Sequence, residues 1–189
     1  MPKVTSVNIG NLDFEFENTN VRVTANRNFP ETKLAGLTVG PFEEGNEYEI
    51  YYWIAGELAK QGIVHFPKED YLDPAKLFKT QWKERAQTSG QISALKDDFY
   101  PRLRRYVNEL RAESTKTPEK MREYETVLHL SRDIVNSRMR KIVSLASSPT
   151  QTEQITKNLT CEEKLLHNHL SNLIRRWRKQ ILDYEEGKE

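Results

Sequence analysis

Residues 34–58 read LAGLTVGPFEEGNEYEIYYWIAGEL, and the reading of this stretch decides the fold of the first half of the chain. Gly36, Gly40 and Gly45 fall within ten residues and lead through an acidic turn into an aromatic segment. A phosphate-cradling loop needs glycines, backbone N–H groups at a helix N-terminus and usually a Lys followed by Ser or Thr. Here Gly40 precedes Pro41, which has no N–H to donate, and no Lys-Ser or Lys-Thr pair closes the loop. Glu43, Glu44, Glu47 and Glu49 follow, and their charge repels phosphate. The glycines are therefore structural punctuation. A short strand over 34–39 ends at Gly40-Pro41, a second turn lies at Gly45-Asn46, and the chain then enters a helix.

Working outward, Tyr52, Ala55, Leu58 and Ala59 share one helical face, and Gly62 sits where a left-handed C′ residue ends a helix. Residues 63–66 read as a short apolar strand closed by Pro67. Upstream, Leu12, Phe14 and Phe16 alternate with Asp13, Glu15 and Glu17, the period of a half-buried strand. With a turn at 18–20 and a strand from Val21, this predicts a hairpin. Downstream, Asp73-Pro74 marks a helix start, Asp as N-cap and Pro at the first helical position. Leu77, Phe78, Gln81, Trp82 and Arg85 lie along one side of that helix. Residues 88–91, TSGQ, read as a linker.

Everything beyond the linker is helical in pattern. Asp98 stands as cap of a helix carrying Leu103, Tyr106, Val107 and Leu110. Thr117-Pro118 opens a long helix over about 118–146. Thr160-Cys161-Glu162-Glu163 is a capping box, and its helix carries Leu166, Leu170, Leu173, Trp177 and Ile181 on one stripe. The expected fold is α+β: a small β-rich domain over 1–90, with helices near 52–61 and 74–87, followed by a helical, bundle-like domain over 91–189. No internal repeat is present. The tails, 1–6 and 185–189, are expected to be mobile.

Composition limits function. Of 189 residues, 37% are hydrophobic and 30% charged, polar for a globular chain, so two modest cores or surface shared with partners fit better than one large core. Net charge is +1, which gives no bulk case for nucleic acid. The halves differ mildly: 10 Lys+Arg against 13 Asp+Glu over 1–90, and 19 against 15 over 91–189. The one cysteine, Cys161, rules out an internal disulfide framework. No apolar run has the length of a signal peptide or membrane span, so a soluble cytoplasmic protein is expected.

No constellation for catalysis, metal or cofactor emerges. His167 and His169 are two apart on a helix and diverge by about 200°. Asp97-Asp98, Glu69-Asp70 and Glu162-Glu163 precede or open helices, where acids favour the positive dipole end. Basic residues cluster at Arg102, Arg104 and Arg105, at Arg138, Arg140 and Lys141, and at Arg175, Arg176, Arg178 and Lys179. The third cluster would suit nucleic-acid phosphates or an acidic partner, but interleaved acids make solvated faces the simpler reading. The broad apolar stripes leave area for a partner.

Two blocks resemble one family. Residues 28–64, NFPETKLAGLTVGPFEEGNEYEIYYWIAGELAKQGIV, resemble the small β-rich domain of GINS subunits. Phe29, Pro30, Leu34, Ala35, Gly36, Gly40, Pro41, Phe42, Gly45, Trp53, Ala55 and Gly62 match its pattern. Tyr51 stands where many members have Pro, and Ile54 where Leu is usual. DDFYPRLRRYVNEL (97–110), SRDIVNSRMRKIVSLA (131–146) and LTCEEKLLHNHLSNLIRRWRKQIL (159–182) resemble successive helices of the GINS helical domain. The order, β domain first, is similar to the class of the second and third Psf subunits, and the short length resembles archaeal members. The resemblance implies a non-catalytic scaffold without cofactors. Its implied partners are a Sld-like GINS subunit, in a hetero-tetramer with two copies of each, the MCM helicase, a RecJ-like or Cdc-type protein, and primase or polymerase. The alternative is a nucleic-acid-binding adaptor using the basic helical face. The long and last helices are expected to pair antiparallel, with Leu128, Val135, Met139, Ile142, Leu173 and Trp177 as intersubunit candidates.

Overall fold

The alternation over 12–17 does not make a strand. In the computed structural model, which describes residues 9–87, 91–148 and 156–182, these residues form helix α1 (Gly10–Glu17). Leu12 and Phe16 are four apart, so they share a helical face as readily as a strand face. Phe16 is buried against the ring of Tyr52, at 4.4 Å between centroids, while Phe14 is 68% exposed. Six residues cannot separate the two periods, and docking on the Tyr52 helix selects the helical one.

The first hydrogen-bonded ladder therefore joins distant segments. β1 (Asn20–Ala25) pairs antiparallel with β4 (Glu47–Tyr51), Val21 opposite Ile50 and Val23 opposite Tyr48. β5 (Val64–His65) pairs along the other side of β1, giving the order β4-β1-β5. The single strand expected over 34–39 is a separate hairpin, β2 (Thr32–Leu34) with β3 (Leu37–Val39). Its two-residue turn uses positive φ at both Ala35 (50°) and Gly36 (84°). That is the conformation whose twist suits a tight hairpin. Gly40 follows at φ 94°, and a Cβ there would lie 3.2 Å from the Phe42 ring.

α2 (Tyr52–Lys60) lies on the inward face of this sheet through Ile54, Ala55 and Leu58. As expected, it ends at Gly62 (φ 69°), whose N–H bonds the Ala59 carbonyl. Tyr51 precedes α2 at φ −58°. This is a proline-like value, so tyrosine at this position leaves the backbone course unchanged. The core of Val23, Ala25, Val39, Phe42, Ile54, Ala55, Leu58, Ile63 and Val64 is wholly apolar.

The chain divides into two compact units, one of them Ile9–Leu72. The expected boundary near residue 90 is thus displaced to 72/73. α3 (Pro74–Ala86) belongs with the helices because Leu77, Gln81 and Glu84 face into them. Its start follows expectation: the Asp73 carboxylate accepts from the Lys76 N–H at 2.7 Å. Residues 88–90 of the 88–91 linker and both tails lie outside the described residues.

The helical unit continues with α4 (Phe99–Glu113), α5 (Pro118–Ser147) and α6 (Cys161–Leu182). Thr117 caps α5 as its sequence suggests. Asp98 makes no capping bond but pairs with Arg102 at 2.6 Å. The capping box of α6 is reciprocal: Thr160 N–H donates to Glu163, and Glu163 N–H to the Thr160 hydroxyl. The antiparallel pairing expected for α5 and α6 is not found. Arg138 meets Glu163, Ile142 packs with Leu166 and Leu170, and the Ser147 carbonyl accepts from Arg178. Contacts advance in the same sense on both helices. Twelve residues separate Ser148 from Cys161.

Candidate interaction surface of the helical unit

The helical unit is locked by charge. Arg138 is fully buried and uses all five N–H groups. Two bond the Glu163 carboxylate, Nε at 2.5 Å and Nη2 at 2.6 Å. Nη1 bonds Glu84 Oε1 at 2.6 Å and the Ser93 carbonyl at 2.8 Å, and Nη2 also reaches the Asn158 carbonyl. Lys141 Nζ donates to the Glu84 carboxylate and carbonyl, each at 2.8 Å. The Ser93 hydroxyl donates to Glu84, and the Tyr100 hydroxyl to Glu163 at 2.7 Å. The network ties α3, α4, α5 and α6 together.

Burial raises the Glu84 carboxyl, but bonds from Lys141 and Ser93 and the charges of Arg138 and Lys141 outweigh it and hold the group below its ordinary value. Burial lowers Arg138, while Glu163 more than restores it. Tyr100 is driven well above the usual phenol range, first by burial and then by the Glu163 charge. Glu84 and Arg138 are thus held charged and Tyr100 neutral in a closed site, and the burial of Arg138 and Lys141 puts both out of reach of any nucleic acid. The basic cluster suggested by the sequence at 138–141 retains only Arg140 at the surface.

Outside this centre, the apolar stripes run past their cover. On α6, Leu166 and Leu170 pack against Ile92, Ile142 and Leu159. The same stripe continues through Leu173, Trp177 and Ile181, which are 57%, 59% and 61% exposed. By Arg178, α6 has reached the end of α5, so its last turns have no helix of this unit beside them among the described residues. On α5, Val135, Met139 and Val143 are exposed in a row at four-residue steps, with Leu128 half-buried on the same flank.

The sequence could not divide its six apolar candidates between core and surface. The structure places Ile142 in the core, 2% exposed against Ile92 and Leu159, which removes it from any surface role. Val135, Met139, Leu173 and Trp177 are exposed, and Leu128 is half-buried. Of the four basic candidates, Arg175, Arg176 and Lys179 are exposed, and Arg178 donates to the Ser147 carbonyl at 2.7 Å, closing the end of α5. Cys161 is exposed in the first turn of α6. His129 lies 3.7 Å from Asp133, and His167 is buried.

Sequence reading missed the ionic centre. A signal was present: Arg138 and Lys141 recur with Ile134 and Ile142 on the buried face of α5, at three- and four-residue steps. Charges on an apolar stripe need partners, and Glu84 and Glu163 stand at positions equally buried on their own helices. Among the described residues, no helix is long and apolar enough to cross a membrane.

A family model of the GINS complex protein helical bundle domain, Sld5, matches residues 71–182, more than half of the chain. Comparison with curated proteins gives no match.

Proposed function

This chain belongs to the GINS complex protein family, and from that premise we propose that it is a non-catalytic scaffold subunit of the GINS replication complex, joined to other GINS subunits through the exposed flanks of α5 and α6. The observation carrying this reading is the α6 stripe, covered as far as Leu170 and bare from Leu173 to Ile181. Apolar rows of this kind on a surface mark a partner's place. Val135, Met139, Leu173 and Trp177 are the contact residues. The order of units, β-rich before helical, favours the class of the second and third Psf subunits, with a Sld-like subunit as the partner in a tetramer of two copies each. Through that assembly the chain would link the MCM helicase to a RecJ-like or Cdc-type protein.

Co-expression with a Sld-like subunit, followed by native mass measurement, tests this. A hetero-tetramer is expected, and Leu173→Glu with Trp177→Glu should dissociate it while leaving helix content unchanged, because both side chains are exposed. A complex of unchanged mass from the double variant overturns the interface.

A second reading rests on Arg175, Arg176 and Lys179. All three are exposed on α6; by helical spacing Arg175 and Lys179 are turned away from the apolar stripe, and Arg176 flanks it, three residues after Leu173. Arg175 and Lys179 would contact nucleic-acid phosphates or acidic partner residues without competing for the interface. Salt-dependent DNA binding lost in a triple alanine variant supports this reading, and an absence of binding at low salt ends it.

A further inference from the structure

β4 is the edge of its sheet, and its outer side is a prepared one. Tyr52 N–H bonds the Thr19 carbonyl, and Ala25 N–H bonds the Asn46 carbonyl. With the register Val21 to Ile50 and Val23 to Tyr48, the residues of β4 bonded to β1 are therefore Tyr48 and Ile50. The N–H and C=O groups of Glu47 and Glu49, and the N–H of Tyr51, project the other way; the Tyr51 carbonyl, at the N-cap of α2, takes the first helical bond. Among the described residues no strand pairs with that side. It opens on a groove of about 410 Å³ whose far wall is β3 with Phe42. In the β2–β3 hairpin, Leu34 and Leu37 flank a two-residue turn as a bonded pair. The backbone of Thr38 is thereby also turned outward, and Thr38 lines the same groove.

The side chains define what fits. Glu47 and Glu49 are exposed on one face of β4. Tyr48 and Ile50, half-buried, continue on the other face into a lining of Val39, Phe42 and Ile54. The unit as a whole is acidic: Ile9–Leu72 carries 5 Lys+Arg against 11 Asp+Glu. We propose that this groove accepts an extended partner segment of alternating basic and apolar residues, added antiparallel or parallel to the free edge of β4. Backbone bonds to Glu47, Glu49 and Tyr51 would supply affinity. Basic side chains would lie beside Glu47 and Glu49, and apolar ones beside Tyr48 and Ile50. Exposed strand edges are templates for such pairing, and acidic side chains on this edge repel other acidic strands while admitting basic ones.

The test uses the full chain purified with its GINS partner and a labelled, capped peptide of alternating lysine and valine, read by fluorescence anisotropy. Binding is expected, together with slowed hydrogen exchange at the amides of Glu47, Glu49 and Tyr51. Glu49→Pro removes one outward N–H without touching a bond to β1, and should weaken binding by about tenfold. Glu49→Gln, which keeps the N–H, should weaken it less. The same peptide N-methylated at alternate amides should not bind, nor should a glutamate–valine peptide. Equal binding of the N-methylated or the acidic peptide, no binding of the lysine peptide, or slow exchange at the three amides before peptide is added would each overturn the proposal. If Glu49→Pro loosens the sheet, the N-methylated peptide still decides.

Discussion

Val23, Ala55 and Ile63 are fully buried in the small unit, and every member of their cluster is apolar. In the helical unit the largest fully buried side chain is Arg138, with Glu84 beside it. The surfaces differ as well. Ile9–Leu72 carries a formal net charge of −6, and Asp73–Glu189, with 23 Lys+Arg against 17 Asp+Glu, carries +6. One unit is an apolar core under an acidic skin, the other a bundle pinned by ion pairs under a basic one. The lesson is one of tolerance. An apolar core loses stability in proportion to the volume removed. A buried ionic network fails when any one member is lost, because the others are left charged and unpaired.

That contrast can be broken by experiment. The largest effect is expected from Arg138→Ala. It strands Glu84 and Glu163 and should cost about 3–5 kcal/mol, enough to unfold a marginal unit. Hydrogen exchange should report opening confined to α3–α6; an exchange pattern equal to the parent's would refute the network as the lock. Next, Leu58→Ala in the small unit should cost about 2–5 kcal/mol through its cavity, read as faster exchange over β1 and α2.

Acid should divide the units without mutation. Glu84 titrates below its ordinary value of 4.5 when folded, so its contribution is intact above 4.5 and is lost as pH falls through the lower folded value. The Tyr100 shift runs the other way: its contribution is intact below 10 and lost as pH rises beyond it. Stability of the helical unit should accordingly be flat between these limits and fall outside them. The apolar core of the small unit has no ionised pair to lose, and simultaneous acid melting of both units would contradict this. The smallest effect is local. Asp73→Ala removes the α3 cap and should cost about 1 kcal/mol, measurable as a shifted denaturant midpoint of the helical unit.

Much of the chain was legible at short range. Asp73-Pro74, Thr117-Pro118 and the box at Thr160 each start a helix where their residues indicate, and Gly62 ends one. The α5 and α6 stripes were visible too, because a helical face is written in steps of three and four. Less of the candidate surface was legible. Exposure of Leu173 and Trp177, against burial of Ile142, depends on how much of each stripe the other helices cover.

The sequence by itself determined the elements that local chemistry can fix: caps, left-handed turns, helical periods and the order of a β-rich part before a helical one. Tertiary structure alone decided four further matters. It made 10–17 a helix, turned 32–39 into a hairpin, assigned α3 to the helical unit, and buried Arg138 and Lys141. The reason is physical. A cap acts within one turn of the chain, whereas Arg138 meets Glu84 across 54 residues and Glu163 across 25. A charged side chain written in a sequence looks the same whether water or a distant carboxylate completes it.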